Sequence, residues 1–181
     1  MGLEVALATL TARSHALVDA LAGLHTTVVS DRPLEGDAVL VDLFGNSAED
    51  LIGWVVGAQA TIRDAQQAFF TGNLEGVRRA LAAVHEQAGR AAVLLLGDLL
   101  RYERIAELLR FGRARGGEWR AWAYGVKQAL DSCLQPLFDL DQALAACWQE
   151  LASIGAARGT VALAGVTPQT IDTLQRGELR V

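Results

Sequence analysis

Histidine and cysteine, which often form catalytic or metal sites, are few in this sequence, and their spacing matches no known motif for such a site. The three histidines are His15, His25 and His85. None of them follows a glutamate by three residues, which is the motif that two helices of a di-iron bundle each contribute. No pair has the His-x-x-x-His spacing with which one helix face holds zinc. The sequence therefore predicts no metal site and no bound cofactor.

Two cysteines, Cys133 and Cys147, are the only thiols. On one straight helix they would stand about 21 Å apart, so a bridge between them would need a sharp bend. Neither has a base nearby in sequence that would activate it as a nucleophile. We expect both to be small core residues in a reducing cytoplasm, and we predict no catalytic residues.

A basic, glycine-rich stretch follows the longest helical pattern of the chain. It carries Arg113 and Arg115 between glycines and precedes another helical pattern. Such a stretch can bind an anion at the start of the following helix. A plain turn with solvated arginines is the favoured interpretation, and we keep both residues as candidate interaction residues.

Trp119 and Trp122 lie three residues apart, so they share one helix face. They could pack inside a bundle, which is favoured because tryptophan buries a large area. They could instead form an exposed aromatic anchor for a partner, because interface hot spots are enriched in tryptophan and arginine. Trp119, Arg120 and Trp122 are therefore candidate interaction residues.

Composition limits the class of protein. The chain has 181 residues, of which 51% are hydrophobic, and a formal net charge of −5. This length suits one domain, and the apolar content excludes intrinsic disorder. The acidic balance argues against a nucleic-acid partner. No uncharged run reaches the roughly 20 residues that a membrane span requires. The first residues lack the pattern of a secretory signal, so we expect a cytoplasmic protein.

Apolar residues recur at three- and four-residue steps through most of the chain, which is typical of amphipathic helices. The first helix is predicted at about residues 3–28, followed by a connector at 31–46. Ser47 is predicted to cap the second helix, and Asn73 the third, which is either uninterrupted or bent near Gly89 or Gly97. The fourth should follow Gly116–Gly117, and Pro136 should kink or split it.

The pattern predicts an all-α fold, an antiparallel four-helix bundle with long third and fourth helices and a short C-terminal tail. The bundle domain should cover residues 1–158, and residues 159–181 should form a tail or docking segment. Thr160–Leu163 looks like a strand. The tail is apolar at irregular spacing, so we expect it either to dock on a partner or on a bundle groove, or to fold back as a fifth element. Its candidate interaction residues are Ile171, Leu174 and Leu179.

Four stretches of the chain resemble a group of small all-helical bacterial proteins to which no chemistry is assigned. The resemblance covers about residues 46–155 and rests on the segments Tyr102–Leu108, Gly116–Trp122 (Gly-Gly-Glu-Trp-Arg-Ala-Trp), Cys133–Leu137 and Cys147–Leu151. A helical module with a short tail is also similar, more loosely, to the Bell and HeLo-type domains of conflict systems. In those families a terminal amyloid-like motif recruits the bundle to a signalling assembly, whereas residues 159–181 lack the Asn/Gly-rich pattern of such motifs.

We therefore expect a non-catalytic helical protein-interaction module, an adaptor or subunit of a bacterial signalling or defence assembly. Its partner should be another protein or a second copy of the chain. The alternative is a membrane-acting effector whose first helix inserts at a bilayer surface. A small enzyme is the least favoured hypothesis.

Overall fold

The structure is a computed structural model that describes residues 2–31, 38–111 and 117–164, with side chains placed at 2–31, 41–104 and 117–155. The described residues form four α-helices and no strand. The helices are α1 (Leu3–Val29), α2 (Ala38–Phe70), α3 (Leu74–Phe111) and α4 (Gly117–Ala164). The predicted all-α class, with long third and fourth helices, is confirmed.

Buried residues recur at alternating steps of three and four along each helix. This average period of 3.5 residues keeps one apolar face turned toward neighbouring helices that lie nearly parallel to it. On α1 the face is almost entirely leucine, which explains why the sequence pattern located this helix well. The buried apolar residues of α1 at this spacing are Leu3, Leu7, Leu10, Leu17, Leu21, Leu24 and Val28.

The four helices form a closed antiparallel ring in which each helix packs against the two next to it. Contacts near opposite ends of each pair fix the antiparallel direction. Between α1 and α2, His25 lies beside Glu49 and Thr11 beside Gln66. The α1–α4 and α2–α3 interfaces are the most extensive, and the α3–α4 interface is the least extensive.

The turn between α2 and α3 is short and tightly built. Gly72 has a φ of 72°, in the left-handed region that glycine adopts without strain. The side-chain oxygen of Asn73 accepts a hydrogen bond from the backbone N–H of Gly76 at 2.8 Å. Asn73 therefore caps α3, as the sequence predicts.

The start of α2 differs from the prediction. A connector was expected at residues 31–46 with Ser47 as the helix cap, but α2 already begins at Ala38. Buried Val41 and Phe44 continue the apolar face of the helix, and that packing outweighs the local turn preference of Gly45. A Cβ atom at Gly45 would lie 3.2 Å from a methyl group of Val29, so glycine also allows α2 to approach α1 closely.

Two predictions about α4 are wrong. Of the two effects expected at Pro136, a split is excluded because the helix continues to Ala164, while a kink stays a prediction; the other wrong expectation is Thr160–Leu163, which is helical rather than a strand. Core residues on both sides of the proline, Cys133 and Leu140, are fully buried, and their packing holds the helix together despite the lost hydrogen bond. The helix also passes through the predicted domain boundary at residue 158.

Candidate functional site

The two tryptophans that were candidate interaction residues lie in the core. Trp119 and Trp122 are both buried, and their rings meet edge to face with centroids 6.4 Å apart. The indole N–H of Trp122 donates to the backbone carbonyl of Thr27 at 2.9 Å. The pair therefore fastens α4 to the end of α1 and is not an exposed anchor. Arg120 is exposed beside it.

The other candidate interaction residues lie outside the described residues. These are Arg113, Arg115, Ile171, Leu174 and Leu179. Their interaction roles stay predictions.

A buried polar cluster joins α2 to α3, and the sequence pattern missed it. Asp98 is only 1% exposed, although it occupies a core position on the apolar face of α3. Its carboxylate accepts a short hydrogen bond from the Ser47 hydroxyl and pairs with Arg101 at 3.1 Å. Burial raises the pKa of the Asp98 carboxyl, and the Ser47 and Arg101 contacts partly offset this. The only indication of this cluster in the sequence is that Asp98 falls at a position of α3 where the helical pattern expects an apolar core residue.

The α3–α4 interface is held at one end by polar contacts. The Tyr102 hydroxyl on α3 donates to the backbone carbonyl of Ala123 on α4 at 2.6 Å. One turn away, the Lys127 ammonium lies 3.9 Å from the Glu103 carboxylate and 2.7 Å from that of Asp131. The face of α3 that carries Tyr102 and Glu103 therefore packs toward the face of α4 that carries Lys127.

An open groove marks the other end of the same interface. It has a volume of about 400 Å³ and is lined by Ala82 and His85 from α3 and by Asp141, Leu144, Ala145 and Trp148 from α4. Its wall is mostly apolar. Among the described residues, neither His85 nor Asp141 makes a hydrogen bond or ion pair, so these two polar groups are available to a bound molecule.

Between these two ends the interface exposes large apolar side chains. Leu96 lies seven residues before Glu103 and eleven after His85, so all three occupy one face of α3. On α4, Leu134 lies seven residues from both Lys127 and Asp141, which places it opposite. The exposed apolar side chains near these flanks are Leu96 on α3 and Leu134 and Phe138 on α4, and Val93 and Leu100 continue from Leu96 onto the outward face of α3.

We call these five residues the apolar seam. Val93 is 72% exposed, Leu100 69% and Phe138 54%. Single exposed apolar residues are ordinary on protein surfaces, whereas a larger exposed apolar patch is a candidate interaction site. A groove lined by two antiparallel helices, with alternating large side chains, fits an apolar segment laid between them. Sequence periodicity placed the core faces but gave no indication that these outer positions would be neighbours.

The thiols are not suited to reaction. Cys133 and Cys147 are both fully buried and free of any disulfide, as expected of small core residues. Burial raises the pKa of each thiol to about 11. Each therefore remains protonated at neutral pH, whereas a nucleophilic cysteine needs a lowered pKa.

Within residues 2–31, 38–111 and 117–164, no three His, Cys, Asp or Glu side chains are grouped so that they could hold a metal ion. The same part of the chain contains no helix with an apolar stretch long enough to cross a bilayer.

Comparisons with known proteins identify no relative. No protein-family model matches the chain, no curated protein matches it, and no solved structure matches it.

Proposed function

We propose that this protein is a non-catalytic interaction module, an adaptor or subunit of a larger assembly, that binds a protein partner through the apolar seam between α3 and α4. The observation that carries the proposal is the exposure of Leu96, Leu134 and Phe138 beside the least extensive interface of the bundle, with Val93 and Leu100 next to them on the outward face of α3. An amphipathic helix or an extended apolar segment would bury these side chains, and it would complete the packing that the bundle leaves open there.

In this proposal the buried tryptophans and the polar contacts at Tyr102 stabilise the bundle, and the seam binds the partner. They fix one end of the bundle, where α4 begins, and hold α3 against α4 there without a ligand. A preorganised groove loses less conformational entropy when it binds than one that must first form. Binding at the seam therefore requires no rearrangement of the core.

The alternative membrane-acting function draws less support from this packing. All the large apolar side chains that the pattern assigned to α1, such as Leu10 and Leu17, are buried against the other helices. Insertion of α1 into a bilayer surface would first remove them from the core, at a cost of about 1.5–3 kcal/mol for each large side chain.

Site-specific photo-crosslinking tests the proposal. A benzophenone amino acid placed at Leu96 in the full chain, expressed in its native host, should give one discrete protein adduct. The same photo-crosslinker at Val56, an exposed apolar position on α2, is the matched control and should give none.

The adduct must also depend on the far side of the seam. We expect Leu134→Glu to abolish crosslinking from position 96, because a charge on α4 would be desolvated by a partner lying between the helices. Crosslinking of equal yield from positions 56 and 96, or crosslinking that survives Leu134→Glu, would contradict the proposal. An adduct between two copies of the chain would identify the partner as a second copy.

A further inference from the structure

The chain itself carries an apolar segment of the kind that the seam would bind. Residues 165–181 contain Val166, Ile171, Leu174, Leu179 and Val181, with two arginines and two acidic residues among them. We infer that residues 165–181 occupy the apolar seam of the same molecule and compete there with the protein partner. This inference rests on the proposed function of the seam as a binding surface.

The chain leaves α4 at the end of the bundle nearest the groove. Because α3 and α4 are antiparallel, the end of α4 lies at the same end of the bundle as the start of α3. The groove lined by His85 and Trp148 is therefore the part of the interface that the chain meets first if it turns back after Ala164. No other helix intervenes, since α3 and α4 are neighbours in the ring.

Residues 165–181 are also long enough to reach the seam. The return from Ala164 to Trp148 is sixteen helical residues, or about 24 Å, and the return to Phe138 is about 39 Å. An extended chain covers at most about 3.3–3.6 Å per residue. Ile171 can therefore reach Trp148, and Leu179 can reach Phe138, whereas a helix over the same residues would be too short.

One charged group of the groove also has a complementary charge in residues 165–181. Asp141 is exposed at the rim of the groove and has no ion-pair partner among the described residues. Asp141 lies about 35 Å back along α4 from Ala164, and Arg176 has a reach of up to about 40 Å in an extended path, so Arg176 can reach Asp141. An arginine at that point would supply the missing partner of the carboxylate, and the apolar residues on either side would follow the seam.

Paramagnetic relaxation in the full chain tests the inference. A nitroxide attached at Glu178→Cys places the probe beside Leu179 without replacing an apolar residue, and the buried native cysteines do not compete for the label. We expect the methyl signals of Val93, Leu96 and Leu134 to lose more than half of their intensity relative to the reduced nitroxide. The methyl signals of Val5 and Val56, which are exposed on other helices, should keep theirs.

Two variants make the result specific. Leu174→Asp with Leu179→Asp should restore the seam signals, and Phe138→Asp should do the same from the other side. Unchanged seam signals with the label in place would overturn the inference, as would equal loss at Val5 and Val56. The seam signals should also stay intact when nitroxide-labelled, isotope-free chain is mixed with unlabelled, isotope-enriched chain. Loss of the seam signals in that mixture would overturn the inference, because the occupant would then be a second copy.

The photo-crosslinking experiment separates this inference from the proposed function. If residues 165–181 compete for the seam, the Leu174→Asp/Leu179→Asp chain should give more partner adduct from position 96 than the unaltered chain. A specific adduct without any relaxation effect would leave the proposed function standing and overturn the inference. Relaxation at the seam without any partner adduct would overturn the proposed function and the competition, and would leave only the occupation of the seam by residues 165–181.

Discussion

Asp98 interrupts an otherwise apolar face of α3 with a buried carboxylate. Its pKa is raised above 3.8, chiefly because burial disfavours the charged form. The folded chain therefore holds the proton over a range above pH 3.8 in which the unfolded chain has already lost it. The contribution of this group to stability is full below that range and declines as the pH rises through the folded-state pKa.

The raised pKa of Asp98 predicts how the neutral variant Asp98→Asn should behave. This variant keeps the volume of the side chain and an acceptor for the Ser47 hydroxyl. The difference in unfolding free energy between the variant and the unaltered protein should move in favour of the variant as the pH rises from 3.8 to 7. Urea denaturation at several pH values measures it. A difference that is independent of pH, or that moves in favour of Asp98 with rising pH, would contradict the raised pKa.

The two thiols give a second prediction at this scale. A rise in pKa from 9.0 to about 11 lowers the thiolate fraction about a hundredfold. In the native protein Cys133 and Cys147 should react with iodoacetamide at least that much more slowly than a free thiol, and both should react fast in urea. Mass spectrometry follows the reaction, and rapid alkylation of either native cysteine would show that it is not buried.

At the scale of the helices, exposure differs sharply between leucines of the same type on α3. Leu95 is 1% exposed and Leu100 is 69% exposed. Truncation of a buried leucine leaves a cavity and costs about 2–5 kcal/mol, whereas a surface truncation usually costs within about 0.5 kcal/mol. We therefore expect Leu95→Ala to lower the urea midpoint strongly and Leu100→Ala to leave it nearly unchanged. Similar midpoints would mean that the face of α3 is misplaced.

The polar contact that closes the α3–α4 interface can be tested with a matched pair of tyrosines. Tyr102→Phe removes the hydrogen bond to the Ala123 carbonyl and should cost about 1 kcal/mol of unfolding free energy. Tyr124→Phe alters an exposed residue on the facing helix and serves as the control. If calorimetry finds equal melting temperatures for the two variants, the Tyr102 contact does not stabilise the interface.

The helices also show what the sequence could predict. The leucine stripe of α1 was sufficient to locate that helix, because its apolar period and its ends agree. The first turns of α2 were missed because Gly45 and Asn46 favour turns locally, and only contact with the end of α1 makes them helical. Thr160–Leu163 was misread for a related reason: β-branched residues prefer strands, but four residues that extend an existing helix follow it.

The candidate site was less predictable than the fold. Its flanks are outer positions of α3 and α4, and only the register between the two helices makes Leu96 and Leu134 neighbours. A single sequence contains no information about that register beyond the apolar faces themselves. Ser47 and Asp98, fifty-one residues apart, were missed for the same reason. Trp119 and Trp122 were conspicuous by type, yet their burial makes them structural.

At the scale of the whole molecule, the four interfaces between neighbouring helices differ in extent. The α1–α4 and α2–α3 interfaces are the most extensive and the α3–α4 interface is the least extensive, so we expect most of the stability to come from the first two and we propose that the partner binds at the third. Substitutions in the seam should therefore separate binding from stability. A seam that only completes the core would instead lose stability and binding together.

The most direct measurement compares Phe138→Glu with the unaltered chain in two assays on the same preparation. Phe138 is 54% exposed, so its loss should change the melting temperature by no more than about 2 °C, in line with a surface substitution. Partner crosslinking from position 96 should disappear. A melting temperature lowered by many degrees would show that the seam belongs to the core, and crosslinking that persists at the original yield would show that the partner does not bind there.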